Sequence, residues 1–160
     1  MALLSVGEEA PDFELPALVE GVKRPFRLHS QRGKKNILLA FYPANWDPVS
    51  VAQLSAYQAE KEKLEACRTL PVSICVDSIM NTTAWEREIG PLDFPMCADF
   101  WPHCEVCRRY GVLREQEPGY GSCQRAIYIL DRAGKIKFCQ AFADEEHVAF
   151  SDALALLQGL

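Results

Sequence analysis

Apolar runs alternate with amphipathic stretches along the chain. Residues 36–42 (NILLAFY) form a continuous apolar run of strand length, which predicts a strand buried on both faces. Asp47 and Pro48 then predict a helix start, because Asp is a favoured N-cap and Pro is favoured at the first helical position. The first elements are therefore a buried strand, a short loop and a helix.

The same alternation continues towards the C-terminus. It predicts strands at residues 70–76, 94–97, 125–130 and 135–141, and helices from Asn81 or Thr82 to Ile89, over residues 101–110 behind Pro102, and over residues 144–157. The turn-forming residues 131–134 (DRAG) join the last two strands into an antiparallel hairpin. Alternating β and α units followed by a hairpin predict an α/β, thioredoxin-like fold with a mixed central sheet flanked by helices.

Composition narrows the class of protein. With 160 residues, 49% hydrophobic and 24% charged, we expect one compact domain over residues 1–160. The net charge of -5 argues against nucleic acid as a partner. The first residues lack the features of a secretory signal and no apolar run is long enough for a bilayer, so no membrane association is expected. Seven scattered cysteines favour a reducing cytoplasm over a disulfide-rich secreted scaffold.

Several short segments carry a resemblance to a known family when they are taken in order. They are residues 7–16 (GEEAPDFELP), 39–43 (LAFYP), 76–78 (VDS), 84–85 (AW), 94–95 (FP), 110–112 (YGV) and 125–134 (RAIYILDRAG). The ordered set resembles the peroxiredoxin family, the alkyl hydroperoxide reductase and thiol-specific antioxidant group, over about residues 5–145. The resemblance implies a peroxiredoxin-type thioredoxin fold, descent from a cysteine-dependent peroxide reductase, and a homodimer.

The resemblance also implies where an active site lies. The family's active loop reads Pro, three residues, Thr or Ser, two residues, Cys, and a separate arginine holds the thiolate and the peroxide oxygens. In this chain Pro43 matches the first position, Asp47 stands at the Thr or Ser position, and Ser50 stands at the peroxidatic Cys position. Arg125 matches the arginine. We call these four residues the Ser50 pocket.

The two departures bear on chemistry. Peroxide reduction needs a sulfur anion that attacks the O–O bond and becomes a sulfenic acid, and serine oxygen has no such state. We therefore expect peroxidase activity to be lost and a binding or regulatory role to remain at the Ser50 pocket, with a small peroxide or anion as candidate ligand. No cofactor and no metal is predicted. We also expect Asp47 and Arg125 to form a charge-assisted contact.

Two alternatives for Ser50 stay open. It can be an ordinary polar residue in the first turn of a helix, or a substitution made to trap an active thiol peroxidase. The unusual Asp47 beside it favours natural divergence.

Cys104 and Cys107 form a CxxC motif on the helix predicted behind Pro102. Residues three apart share a helix face, so a redox pair is allowed and a thiol–disulfide oxidoreductase is an alternative function. Plain helix cysteines, reduced and unligated, are the favoured interpretation. A metal site would also need His103, which is expected at the surface because adjacent helix residues point in different directions.

Five further cysteines and three aromatic residues have no assigned role in the Ser50 pocket. Cys75, Cys97 and Cys139 are expected to be inert apolar residues. For Cys67 and Cys123 exposure to solvent stays open, and a resolving role would need a peroxidatic partner that is missing. Trp46, Phe100 and Trp101 belong either to the core or to the dimer contact that similar proteins make beside the active loop.

Overall fold

The computed structural model describes residues 2–160, which form a seven-stranded mixed sheet covered by helices on both faces. The strands are β1 Glu14–Val19, β2 Val22–Arg27, β3 Asn36–Phe41, β4 Thr69–Cys75, β5 Met96–Ala98, β6 Ala126–Leu130 and β7 Ile136–Ala141. The helices are α1 Pro48–Ala59, α2 Lys61–Ala66, α3 Ile79–Ile89, α4 Glu105–Arg109 and α5 Phe150–Gln158, with a 3₁₀ turn at Leu28–Gln31. The predicted α/β, thioredoxin-like fold is confirmed.

The strand order in the sheet is β2-β1-β5-β4-β3-β6-β7. Strands β3, β4 and β5 are parallel neighbours, whereas β6 pairs antiparallel with β3 and β1 pairs antiparallel with β5. The carboxyl ends of the three parallel strands therefore lie along one edge of the sheet. The first residues of β6 lie at the same edge, because Phe41 pairs with Ala126.

Side-chain alternation along β3 builds a core on each face of the sheet. All six residues of β3 are buried, as the apolar run predicted. Ile37, Leu39 and Phe41 pack with α4, while Leu38 and Ala40 pack under α1, α2, α3 and α5. Because β3 is apolar on both faces, it contributes side chains to the two apolar cores that lie on opposite faces of the sheet.

One hairpin was not predicted from the sequence, and two helices begin at residues other than those predicted. The hairpin β1–β2, at one edge of the sheet, was not predicted. Helix α3 is capped by the Ser78 side chain, which accepts a hydrogen bond from Asn81 N, so the caps predicted at Asn81 or Thr82 are wrong. The C-terminal helix begins at Phe150 rather than at residue 144.

The helix predicted over residues 101–110 is shorter than expected and covers only Glu105–Arg109. His103 and Cys104 have left-handed φ angles of 43° and 61°, which a right-handed helix does not contain. The buried Asp99 carboxylate accepts hydrogen bonds from Val106 N at 3.3 Å and Cys107 N at 2.7 Å. The helix therefore starts where Asp99 supplies acceptors for its first free N–H groups.

The N-terminal segment closes over the end of α4 beside Gly111. Leu4 N donates to the Tyr128 hydroxyl at 3.0 Å, and that hydroxyl donates to the Tyr110 carbonyl at 2.6 Å. Gly111 has a φ of +72°, and a Cβ on it would overlap the carbonyl oxygen of Ala2. Gly111 thus combines a left-handed backbone with a close approach of two chain segments.

We predict that Gly111→Ala destabilises the fold more than Gly121→Ala. Gly121 has a similar φ of +83°, but a Cβ on it meets no atom within 4 Å. Both variants pay roughly 1 kcal/mol for the left-handed backbone, whereas Gly111→Ala also displaces the N-terminal segment at a further cost of about 1 to 3 kcal/mol. Urea unfolding of both variants measures the difference, and equal midpoints would contradict the prediction.

Candidate functional site: a buried arginine at the carboxyl edge of the sheet

Asp47 connects the loop after β3 to α1. Its backbone is extended, and its carboxylate accepts hydrogen bonds from Val49 N at 3.4 Å and Ser50 N at 3.1 Å. The N-cap predicted from Asp47 and Pro48 is confirmed. Ser50 lies in the first turn of α1 and is buried, while Pro43 is half-buried at the start of the loop.

Arg125 immediately precedes β6 and is 0% exposed. Its Nη2 donates to Asp47 Oδ2 at 2.7 Å, so the predicted charge-assisted contact is confirmed. Its Nη1 donates to Ser50 Oγ at 3.1 Å. The Phe41–Ala126 pairing explains the meeting, because it places the residues after β3 and those before β6 at one edge of the sheet.

Two further acceptors complete the surroundings of the guanidinium. Arg125 Nη1 donates to Gln53 Oε1 at 2.8 Å, and Nε and Nη2 donate to the Asp144 carbonyl at 3.3 and 3.0 Å. A guanidinium has five N–H donors, and the five hydrogen bonds to protein atoms use all of them. Neither Gln53 nor Asp144 was predicted from the sequence to lie at this site. Gln53 was detectable, because it follows Ser50 by three positions on the same helix face.

The Ser50 hydroxyl donates to Asp47 Oδ2 at 2.6 Å. Burial raises the pKa of Asp47, but hydrogen bonds from Ser50 and Arg125 outweigh it, so the pKa of this carboxylate lies below its ordinary value. A carboxylate with a lowered pKa is a poor base towards a serine hydroxyl. The pair is therefore not an activated serine nucleophile.

A polar network on the opposite side fixes the loop between β3 and α1. The buried Asn45 accepts a hydrogen bond from the Tyr42 hydroxyl at 2.8 Å and donates to Thr82 Oγ1 at 2.9 Å. Its backbone N–H donates to Asp77 Oδ2 at 2.7 Å. Burial raises the pKa of Tyr42 well above its ordinary value, so Tyr42 remains a hydroxyl donor. Asp47 consequently has a fixed position relative to Arg125.

Comparison with known proteins assigns the family. The family model described as the AhpC/TSA family matches residues 6–139. The chain belongs to the AhpC/TSA family. Its peroxiredoxin resemblance is thereby confirmed over most of its length.

The relatives of this AhpC/TSA protein include reductases and peroxiredoxins. Alkyl hydroperoxide reductase E of Mycobacterium tuberculosis is 31% identical over 158 residues, which cover 97% of this chain and 99% of that protein. Peroxiredoxin-2 of Mus musculus is 33% identical over 140 residues, covering 82% of this chain and 67% of that protein.

Solved structures show the same fold. The structure of Mycobacterium tuberculosis AhpC has a TM-score of 0.86 at 21% identity and covers 99% of this chain and 93% of its own. The reduced 2-Cys peroxiredoxin of Plasmodium vivax has a TM-score of 0.87 at 21% identity, covering 95% of this chain and 79% of its own. Both likenesses concern the fold alone.

The cysteines of this AhpC/TSA protein are arranged differently from the prediction. Cys107 forms a disulfide with Cys123, so the expectation that Cys107 is a reduced, unligated thiol is wrong. Cys104 is free and lies before α4 rather than inside a helix that contains both cysteines. Cys123 is buried, not exposed, because its disulfide partner lies in the core.

Two other cysteines and His103 were also considered in the sequence. Cys75 and Cys97 are buried free thiols, and burial raises the pKa of Cys75 to about 12. His103 is exposed, as expected. Within residues 2–160, no group of three or more His, Cys, Asp or Glu side chains is arranged to hold a metal ion. No helix in the same range is long and apolar enough to cross a membrane.

Large apolar side chains are exposed along the edge of the sheet that carries the Ser50 pocket. Trp46, Met80, Phe100 and Trp101 follow β3, β4 and β5, and their exposed fractions are 52%, 71%, 59% and 66%. The alternative that the three aromatic residues belong to the core is therefore wrong. We call these four side chains the apolar edge.

We predict that the contribution of the Asp47–Arg125 pair to stability disappears in acid. Near pH 7, Asp47→Asn should lower the free energy of unfolding by about 3 kcal/mol, because it leaves a buried guanidinium without its anion. Since the pKa of folded Asp47 is lowered, the contribution is complete above the ordinary Asp pKa of about 4 and is lost as the pH falls through the lower folded-state value. Urea titrations near pH 7 and near pH 2 measure it.

Asp93→Asn is the matched control. Asp93 forms an ion pair with Lys61 at 3.0 Å, but both side chains are largely exposed. An exposed pair contributes little, so this variant should unfold like the wild type at both pH values. An Asp47→Asn defect that persists unchanged in acid would show that the charge of Asp47 is not what stabilises the fold.

Proposed function

We propose that this protein is a member of the AhpC/TSA family that has lost peroxide reduction and acts by binding. The observation that carries the proposal is the complete use of the Arg125 N–H donors by protein atoms. The resemblance puts Ser50 at the position of the peroxidatic cysteine, and a serine hydroxyl cannot form a sulfenic acid. Both the nucleophile and the donors for a peroxide are therefore missing from the Ser50 pocket.

Asp47 removes further groups that peroxide reduction would need, in addition to the missing sulfur. Its carboxylate takes the N–H groups of Val49 and Ser50 as well as one N–H of Arg125. A peroxide or small anion would have to displace this carboxylate, and its binding energy would have to exceed the free-energy cost of leaving the carboxylate unpaired. We therefore assign the binding role to the surface around the Ser50 pocket rather than to an anion inside it.

The alternative of an active peroxidase with an engineered serine has less support. An engineered Cys-to-Ser change would leave the rest of the loop adapted to a thiolate. In this chain, however, the Ser50 hydroxyl donates to Asp47 Oδ2 at 2.6 Å, and the same oxygen accepts from Arg125. The serine and the aspartate are adapted to each other, which supports natural divergence.

The partner that we propose is a second copy of this chain. The apolar edge presents two tryptophans, a phenylalanine and a methionine, which are residue types enriched at protein interfaces. It adjoins the Ser50 pocket, since Trp46 immediately precedes Asp47. The family resemblance implies a dimer contact beside the active loop, and this edge is where such a contact would lie. Localisation in the cytoplasm remains part of the proposal.

We predict that Ser50→Cys alone restores only weak peroxidase activity, and that Ser50→Cys with Asp47→Thr restores much more. In the single variant the sulfur replaces an oxygen that lies 2.6 Å from Asp47 Oδ2, and Coulomb repulsion between thiolate and carboxylate at about 4 Å with an effective dielectric near 20 amounts to about 4 kcal/mol. Arg125 opposes this repulsion but is already paired with Asp47. The double variant should react with hydrogen peroxide about 10- to 100-fold faster.

Stopped-flow rates and thiol pKa values of both variants test this prediction. Ser55→Cys is the control, because it adds a thiol to α1 outside the hydrogen bonds of Arg125. Equal rates for the single and double variants would show that Asp47 does not suppress the chemistry. Wild-type turnover above about 10⁴ M⁻¹s⁻¹ would refute the proposed loss of activity altogether.

We predict that Trp101→Glu weakens a dimer by about 30-fold or more, the effect of losing an interface residue worth about 2 kcal/mol. Val22→Glu is the control. Val22 is also exposed, at 52%, but it lies on β2, which is the outermost strand on one side of the sheet. Sedimentation equilibrium measures both constants. A monomeric wild type, or equal effects of the two variants, would argue against the apolar edge as the interface.

A further inference from the structure

Two cysteines lie at the start of α4, and one of them is bonded to a cysteine of the segment that leads to β6. Cys107 and Cys123 form a disulfide with Cα atoms 6.3 Å apart, within the usual range for such bonds. Both residues are 0% exposed. A reductant in solvent therefore has no direct access to either sulfur, although exchange requires a thiolate to reach one of them.

Cys104 is the third of these cysteines and is a free thiol. It is half-buried, and its side chain packs against the apolar cluster that contains both Cys107 and Cys123. Its other side lines an open cleft of about 540 Å³ together with Phe100 and Tyr120. Of the three cysteines, Cys104 thus lines a cleft open to solvent and also packs against the core cluster that holds the disulfide.

Backbone geometry keeps Cys104 within one helical turn of Cys107. The Cys104 carbonyl accepts a hydrogen bond from Arg108 N at 3.0 Å, so Cys104 is the N-cap residue immediately before α4. In helix geometry the Cα atoms of residues three apart are separated by about 5 Å, which is within the Cα–Cα range that a disulfide spans. Asp99 holds the N–H of Cys107 at 2.7 Å and so fixes the first turn.

We propose that Cys104 is a relay thiol through which the buried Cys107–Cys123 disulfide exchanges with a protein dithiol. In the internal step the Cys104 thiolate attacks Sγ of Cys107, a Cys104–Cys107 bond forms, and the Cys107–Cys123 bond breaks. Cys123 leaves as a thiolate and takes up a proton, so the proton lost by Cys104 is balanced. The disulfide moves from the core to the wall of the cleft without any external oxidant.

The dithiol completes a balanced reduction. Its first thiolate attacks Sγ of Cys104, forming a mixed disulfide and releasing Cys107 as a thiol. Its second thiol then displaces Cys104, so that the dithiol leaves oxidised and its two electrons and two protons remain on the cysteines of this chain. The exposed rings of Phe100 and Tyr120 beside Cys104 offer an apolar surface against which a protein, rather than a small thiol, can dock.

The surroundings keep the exchange slow in the absence of a partner. Burial raises the pKa of the Cys104 thiol, and the Asp99 carboxylate raises it further. Few molecules therefore carry the attacking thiolate at neutral pH. The relay does not use the Ser50 pocket, so its test is independent of the test of the proposed function.

Two variants of the full chain test the relay by mass spectrometry after thiol alkylation. Cys123→Ser, oxidised with glutathione disulfide, should form a Cys104–Cys107 bond. Cys104→Ser should keep the Cys107–Cys123 bond. Dithiothreitol or a purified protein dithiol should reduce that bond about tenfold or more slowly than in the wild type. Cys104→Asn is a second version of this variant, because Asn tolerates a left-handed backbone.

Cys67→Ser and Cys139→Ser are matched controls, since both remove a half-buried free thiol elsewhere in the chain. They should be reduced at the wild-type rate. Unchanged reduction of both Cys104 variants would overturn the proposal. So would a Cys123→Ser protein in which oxidation joins no Cys104–Cys107 pair, or a wild-type protein that carries no Cys107–Cys123 bond after oxidation.

Discussion

Arg125 carries a permanent positive charge at a position from which water is excluded, so the residues around it must supply both an anion and enough acceptors. The anion is Asp47, and the remaining acceptors are Ser50, Gln53 and the backbone of Asp144. This requirement explains why a carboxylate at the N-cap of α1 is compatible with the fold. Filling the site with protein groups satisfies the arginine, and it removes the donors that a peroxide would use.

The Ser50 pocket and the three-cysteine cluster of Cys104, Cys107 and Cys123 occupy different parts of the same fold. The Ser50 pocket lies between β3 and β6, whereas the three-cysteine cluster lies beside α4, on the face of the sheet opposite α1. The two sites do not share a side chain. The fold therefore allows the Ser50 pocket and the cysteines to change independently, because function depends on side chains placed at separate loops of one fold.

Sequence patterns predicted what depends on local signals. The apolar run of β3 and the Asp47–Pro48 start of α1 needed only neighbouring residues, and the contact with Arg125 followed from the family resemblance. The hairpin β1–β2 was missed because Pro16 and Pro25, which stand directly opposite each other, are poor strand formers. The Cys107–Cys123 disulfide was missed because its two cysteines are 16 residues apart in different segments, and no local spacing predicts that they meet.

The C-terminal segment is tied to Arg125 by two separate routes. The Asp144 carbonyl accepts two hydrogen bonds from the guanidinium, and Gln53 links it to Tyr57, whose ring packs against Phe150 of α5. A binding protein or a protease that peeled this segment away would leave Nε and one Nη2 hydrogen of Arg125 without acceptors. The last stretch of the chain is in this sense a lid that hides two N–H groups of a buried cation.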